Sequence, residues 1–439
     1  MHFLKKKLYD FLKFYLIFLI KILCYFKLSF LNSFLTGFFI KNIKYNKKNL
    51  TNILIIRKSA GFDDVMTSLN KKKNNYNIYV IPRFVLKNIF INFLSKSSFN
   101  DNEYYKKNKN YLNKKKVYQE YVNKFQGHIV KKYKINLIIN FNVMYKEVDA
   151  FAFSSNINKV NFLTLQKEYI FSKGRFEILK KIYQKRLQKY QDTYIATYNK
   201  KHKECFLLSK WVKKKNIFIV GCPRLDLSFA ISRGKKFISK KKPITLIYYK
   251  IHKRAGLPYF DDKFNTYNQF FIKKFDWAYL KKITEKILFE HACNKKNLKL
   301  IIKTKPPENF KLLDKNQFKN IKVINGGVGH TLLENADAVV AFNSTTVLES
   351  IASKTPVIIP NFDKNKHGKF FKMDLVKTNL IKIANSPGEF LKYLDQIQAY
   401  NKRQKKLSIQ EKKILEMYMG NSDCGSSLRL FNLIKKLTS

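Results

Sequence analysis

Four polar residues, Asn343-Ser344-Thr345-Thr346, stand between the apolar run Ala338-Val-Val-Ala-Phe342 and the pattern Val347-Leu-Glu349-Ser-Ile-Ala352, with Pro356-Val-Ile-Ile-Pro360 beyond. The pattern predicts a buried strand, a hydroxyl-rich turn, a short amphipathic helix and a second buried strand. Side-chain hydroxyls and backbone N–H groups then meet at a helix N-terminus, where the helix dipole also favours negative charge. The chemistry on offer is capture of a phosphate. Thr346-Val-Leu-Glu349 fits a capping box as well, in which Thr346 accepts from the helix backbone and Glu349 reaches back to the cap. That box explains two residues without a ligand, but not the crowding of Asn343, Ser344 and Thr345, so the reading is joint: the box orders the helix end and the neighbouring hydroxyls meet phosphate. Upstream, Val323-Ile324 leads into Gly326-Gly327-Val-Gly329-His330, a glycine loop that lets backbone approach a nucleotide. His330 reads as a loop or core histidine, because the sequence assigns it no partner carboxylate.

Further candidates sit at the ends of expected strands. After Leu300-Ile-Ile302, Lys303 and Lys305 alternate with Thr304 and so point the same way, either to a phosphate or to solvent with their stems snorkelling. A strand over 160–165 delivers Lys167 and Glu168 to its C-terminal end, the end at which open α/β sheets bind ligands. Gly221-Cys222-Pro223-Arg224 stops the strand 216–220; Arg224 and Asp226 either contact a substrate or form an intradomain ion pair that fixes the turn. Between strands 52–56 and 78–81, Arg57-Lys-Ser-Ala-Gly61-Phe-Asp63-Asp64 is a strand-to-helix turn. It either faces a cleft or is an ordinary glycine turn with a helix cap.

Thr164-Leu-Gln-Lys-Glu168, Ile219-Val-Gly-Cys-Pro-Arg-Leu-Asp226, Leu300 to Lys305 and the hydroxyl turn, in this order between residues 160 and 365, resemble glycosyltransferases of the two-lobed GT-B fold. Within that group the similarity is to bacterial surface-carbohydrate and capsule polysaccharide biosynthesis proteins. The resemblance implies two Rossmann-like lobes and a nucleotide-sugar donor, used as substrate and without a further cofactor. Donor phosphate would meet Ser344 and Thr345, with Lys303 or Lys305, Gly327, Gly329, Asn343 and Thr346 around it. Glu349 would bond a ribose, as an acidic residue does in many such enzymes. Glu168, or in second place Asp63, would deprotonate the acceptor, a glycan or lipid-linked glycan, beside Gly61, Lys167, Arg224 and Asp226. Related families carry a basic or histidine-proline motif where this chain has Lys303-Thr-Lys-Pro-Pro, which keeps the charge and removes a histidine. Polyol-phosphate transfer of the teichoic-acid type, sugar-nucleotide epimerisation and a non-catalytic polyanion-binding scaffold remain open beside this reading.

The 439 residues suffice for two domains of ordinary size, each with its own core. Lys and Arg number 87 against 30 Asp and Glu, a net charge of +57 that attracts anionic lipid or polyanionic glycan. Part of that excess matches the Lys, Asn, Ile, Phe and Tyr usage of an AT-rich genome, and nucleic acid is not the expected partner. Five cysteines lie scattered without a C-x-x-C pair, as expected of reduced thiols in the cytoplasm. No D-x-D triplet or H-x-x-x-H pattern occurs. No metal is expected, since helix dipoles and basic side chains can neutralise a leaving phosphate.

The N-terminal 48 residues hold ten lysines and one aspartate. Lysines cut residues 8–40 into uncharged runs too short for a spanning helix, which needs about 20 apolar residues. Wound as one helix at about 100° per residue, Lys6, Asp10, Lys13, Lys21 and Lys27 share a sector of about 120°, and the rest is Phe, Leu, Ile and Tyr. A helix lying in the interface of an anionic membrane, on the inner, cytoplasmic face, fits this pattern; the alternative is a helix packed on its own domain. The expected organisation is a membrane-associating segment over 1–48, an acceptor lobe over 49–231, a linker over 232–243, a nucleotide-sugar lobe over 244–400, and C-terminal helices over 401–439 that cross back onto the first lobe. The basic stretch 101–116 reads as a loop or a solvated helix start.

Overall fold

Runs such as Ile53-Leu-Ile-Ile56 and Leu298 to Ile302 are apolar at successive positions, so both faces of the strand must be covered. A parallel sheet between two helical layers meets that need. The structure, a computed structural model, describes residues 2–44, 51–57, 59–70, 76–99, 101–105, 107–166, 172–185, 193–209, 211–234, 243–252, 277–304, 319–326, 329–363, 371–397 and 406–439.

Two such sheets form. The first contains β1 (Lys41–Lys44), β2 (Thr51–Arg57), β3 (Tyr76–Pro82), β4 (Ile135–Asn140), β5 (Asn161–Gln166), β6 (Tyr194–Thr197) and β7 (Ile217–Ile219), in the order β1-β3-β2-β4-β5-β6-β7. All pairs are parallel except β1 with β3. The second contains β8 (Ile244–Tyr249), β9 (Leu298–Thr304), β10 (Ile321–Asn325), β11 (Ala338–Val340), β12 (Val357–Pro360) and β13 (Ile381–Ala384), in the order β10-β9-β8-β11-β12-β13 and parallel throughout. Strand order reverses between β2 and β4 in one lobe and between β8 and β11 in the other. The crevice outside the strand ends at such a reversal is where open α/β sheets take ligands.

The helices are α1 (His2–Tyr25), α2 (Ser29–Gly37), α3 (Ser59–Asn70), α4 (Arg83–Leu94), α5 (Asp101–Tyr104), α6 (Lys109–Tyr133), α7 (Lys146–Ile157), α8 (Lys173–Lys185), α9 (Lys200–Ser209), α10 (Pro223–Gly234), α11 (Ala278–Asn294), α12 (Thr345–Ala352), α13 (Pro387–Asp395), α14 (Ile409–Met419) and α15 (Ser426–Thr438). Alternation along β2 divides the apolar interior. Leu54 and Ile56 join α1, α4 and α6, whereas Ile53 and Ile55 join a core that continues through α15 into the second lobe.

Of the two readings of the segment 101–116, the solvated helix start holds: the Asn108 side chain accepts from Tyr111 N–H at 2.8 Å and caps α6 eight residues before the apolar pattern begins, and most of 109–116 is exposed. The N-terminal segment is not one helix: Lys27 takes a left-handed conformation (φ 55°) and ends α1 before α2 starts. No described helix is long and apolar enough to cross a membrane. Residues 232–234 complete α10, and 235–242 lie outside the described residues. The last helix, α15, packs against α3 and β4 of the first lobe, and Asn161 Nδ2 donates to the Leu437 carbonyl at 2.6 Å.

Candidate functional site

The first wall is built where β2 turns into α3. A Cβ on Gly61 would lie 2.3 Å from a ring carbon of Phe141, so the side chain that follows β4 can approach α3 only over a glycine. Asp63 and Asp64 come next, separated by about 100° of helix. Asp63 is exposed; Asp64 is fully buried. Asp64 Oδ1 accepts from Arg224 Nε at 2.9 Å and from the Arg224 backbone N–H at 3.1 Å, and Oδ2 accepts from the Tyr198 hydroxyl at 2.5 Å.

Arg224 is the second residue of α10, whose first residue, Pro223, has its φ already set for a helix. Burial works against the guanidinium charge, but Asp64, then Tyr198, Cys222 and Glu349, hold its pKa well above the ordinary value. Burial, and then the Asp64 charge, push the Tyr198 hydroxyl well up and the Cys222 thiol up to about 12. An Arg224–Asp226 ion pair is therefore corrected: Arg224 turns to Asp64. Asp226, also buried, turns away from the cleft, accepting from Ser427 N–H at 2.8 Å and Asn421 Nδ2 at 3.2 Å to hold the start of α15.

The opposing wall comes from the second lobe. Tyr249, at the end of β8, donates its hydroxyl to the Gly329 carbonyl at 2.7 Å, and burial followed by the Glu349 charge raises its pKa. His330 opens a 3-10 turn over His330–Asn335 that packs against α10. Burial and then the Arg224 charge lower the pKa of His330, while Asp63 and Glu334 pull it back. Of the two carboxylates whose charge acts on His330, Glu334 lies in its own 3-10 turn and Asp63 belongs to the other lobe. Lys303 is buried, with its ammonium donating to the carbonyls of Gly326 and, at 3.3 Å, Thr304; snorkelling to solvent is excluded for it.

At the hydroxyl turn, Asn343 adopts φ 48° and its amide is engaged: Nδ2 donates to the Phe371 carbonyl at 2.8 Å and Oδ1 accepts from Met373 N–H at 2.9 Å. The helix cap is Ser344, not Thr346. Ser344 Oγ accepts from Thr346 N–H at 3.4 Å and from the Thr346 hydroxyl at 3.1 Å. The expected capping box fails because Thr346 is already inside α12, two positions past the cap. Glu349 does not return to the helix start; buried, it acts electrostatically on Arg224, Cys222 and Tyr249, across the packing of α10 on α12.

The structure thus gathers Gly61, Asp63, Arg224, Gly329, Glu349 and the start of α12 around the two strand-order reversals, with Ser344 and Thr345 half-buried at the helix end. Lys167, Glu168, Lys305 and Gly327 lie outside the described residues. Sequence reasoning did not single out Asp64, Tyr198 or Tyr249. The adjacent acids at a helix start were the available signal, since two neighbours on a surface helix cannot both face inward. Among the described residues no group of three or more His, Cys, Asp or Glu could hold a metal ion.

No family model matches the chain. None of the curated proteins matches it. Among solved structures it is similar to the UDP-GlcNAc 2-epimerase of Methanocaldococcus jannaschii, at 14% identity over 88% of this chain and 99% of that one, with a TM-score of 0.48. A variant of the wall teichoic acid polymerase TagF is similar at 12% identity over 89% of each chain, TM-score 0.48. The lipopolysaccharide outer core galactosyltransferase WaaB in its apo form is similar at 12% identity over 88% of this chain and 99% of that one, TM-score 0.41. Enzymes of sugar-nucleotide and surface-glycan chemistry thus stand among its structural neighbours; their activities are statements about those proteins.

Proposed function

We propose that this chain is a metal-independent glycosyltransferase that moves a sugar from a nucleotide-activated donor to a glycan or lipid-linked glycan acceptor in surface-carbohydrate synthesis, at the cytoplasmic face of an anionic membrane. The observation that carries the reading is that α10, with Arg224 in its first turn, packs on α3 of the first lobe, which holds Asp63, and on the His330–Asn335 turn and the Ser344-capped, hydroxyl-bearing helix α12 of the second. In the reaction an acceptor hydroxyl loses its proton to a carboxylate, Glu168 or Asp63. Its oxygen then bonds to the anomeric carbon as the bond from that carbon to the donor phosphate breaks. The charge released on the nucleoside diphosphate meets the N–H groups of α12 and the hydroxyls of Ser344 and Thr345, with Lys303 or Lys305 nearby. His330, its pKa lowered by burial and then by the Arg224 charge, is neutral near pH 7 and can accept a hydrogen bond. Closure of the lobes would expel water and limit donor hydrolysis.

Thermal shift against a panel of nucleotide sugars tests this. One donor, and its nucleoside diphosphate, should raise Tm, and the combination Ser344→Gly with Thr345→Val should remove most of the shift. Glycine keeps capping within a few tenths of a kcal/mol of serine, so loss of the shift reports lost phosphate contacts and not a frayed helix. If neither a nucleotide sugar nor a nucleoside diphosphate alters Tm, the reading fails.

A further inference from the structure

Helix α2 is inside out. Its buried residues are Ser29, Asn32, Ser33 and Thr36, whereas Phe30, Leu31 and Phe34 of the same helix, and Phe38 capping it, are exposed. The polar side faces inward because it finds partners there. Asn32 Nδ2 donates to the Tyr121 hydroxyl of α6 at 2.7 Å, Thr36 donates to Asn32 Oδ1 at 3.4 Å, and the Tyr133 hydroxyl donates to the Gly37 carbonyl at 3.4 Å. Helix α1 is seated by a narrow stripe, Leu16, Ile20 and Cys24, in the core it shares with α4, and leaves Phe11, Phe14 and Phe18 in solvent. Of the 25 exposed large apolar residues among the described ones, 15 fall between Phe11 and Ile43. Scattered exposed apolar residues are normal on a protein surface, but a concentration of this kind marks an interaction surface.

Charge decides what covers it. Lys21, Lys27 and Lys41 are exposed within the same segment, whose one acidic residue is Asp10, and Lys132 of α6 lies with its ammonium 5.0 Å from the Phe34 ring centroid. Two copies meeting through this face would bring like charges together. Anionic headgroups would neutralise them while the rings enter the boundary of headgroup and acyl chain. We infer that the outward faces of α1 and α2 form one docking surface for an anionic lipid bilayer, with Phe30, Phe34 and Phe38 as the inserting residues of α2. This rests on the membrane placement proposed above and names the face that makes it.

The test uses the full chain and vesicles of phosphatidylcholine with about 30% phosphatidylglycerol, a composition that supplies the negative surface assumed for cytoplasmic leaflets. Combining Phe30→Ser, Phe34→Ser and Phe38→Ser removes only exposed rings and leaves the bonds from α2 to α6. It should weaken co-sedimentation about tenfold or more, since each ring contributes apolar burial in the interface. Phe153→Ser, exposed elsewhere at 54%, should change nothing. In a separate variant, Phe34→Trp should shift the emission of the introduced indole to the blue on vesicle addition, and brominated lipid should quench it. Failure of the full chain to bind, undiminished binding by the triple variant, or an indole signal that ignores lipid overturns the inference. So does a blue shift that follows protein concentration without lipid, which would make a second copy the occupant. The donor thermal shift, read on the triple variant in parallel, separates the two proposals: vesicle binding without any donor response sinks the transferase and leaves the docking face standing.

Discussion

Asp64 and Arg224 are 160 positions apart in the chain and share an ion pair whose carboxylate is fully buried. Leaving one such partner alone in a low-dielectric site costs about 3–5 kcal/mol, more than the pair contributes as a pair. Arg224→Met should therefore lower the urea midpoint strongly, and adding Asp64→Asn should recover part of the loss; equal destabilisation by the single and double variants would refute this account. At the hydroxyl turn, Ser344→Ala should cost about 1 kcal/mol as a lost cap. Thr346→Ala should cost less, because its hydroxyl only donates to the capping oxygen. Urea midpoints for the two variants would settle the order, and the reverse order would restore Thr346 as the cap. His202 gives a pH prediction: burial, and then the charge of Arg175, lower its pKa to about 3. The folded state then holds fewer protons than the unfolded one between the ordinary histidine range and pH 3. Stability is full above the unfolded pKa and is lost as pH falls toward the folded one, by on the order of 5 kcal/mol across that window. His202→Phe, which can keep the stack on Tyr183 and Phe206, should flatten that acid limb in equilibrium unfolding.

At the scale of elements, α14 and α15 act as a strap. Cys222 N–H donates to the Met419 carbonyl at 2.9 Å, Asn199 Nδ2 to the Tyr418 carbonyl at 2.8 Å and Arg429 Nε to the Val220 carbonyl at 3.1 Å, so carbonyls of α14 and a side chain of α15 close the first lobe beside the site. The corner between the two helices depends on Gly420, which ends α14 at φ 71°; a Cβ there would stand 1.6 Å from the Tyr198 carbonyl oxygen. Left-handed strain alone costs about 1–2 kcal/mol for an L-residue, so Gly420→Ala should lower stability by about 2 kcal/mol or more once the collision is added. Because Tyr198 holds Asp64, the same variant should weaken donor binding when measured well below its Tm. A variant as stable as the parent would mean that the corner can relax. Helix α2 depends on partners of this distant kind as well: Asn32 bonded to Tyr121 and Thr36 bonded to Asn32 hold its polar side inward and leave Phe30, Leu31 and Phe34 outward.

For the molecule as a whole, the two parallel sheets and the hydroxyl turn at the end of β11 were legible in the sequence, because unbroken apolar runs of strand length and a polar step before a helical pattern are local signals. Some local signals were ambiguous. Thr346 and Glu349 satisfied the spacing of a capping box, but the helix begins two residues earlier than that box requires, and Ser344, extended at φ −134°, takes the cap. Asp63 and Asp64 looked alike until packing sent one to solvent and the other beneath Arg224. What the chain could not declare by itself is any property defined by a partner far along it: the Asp63 charge that acts on His330, the Asp64 that replaces Asp226 beside Arg224, and the Tyr121 hydroxyl that holds the polar side of α2 inward. Propensity and periodicity are set within a few residues, whereas burial and charge pairing depend on which segments the sheet order brings together. The sequence by itself determined two covered parallel sheets with a hydroxyl-bearing helix start; only the tertiary structure decided which acids, bases and aromatic rings confront one another and which confront solvent.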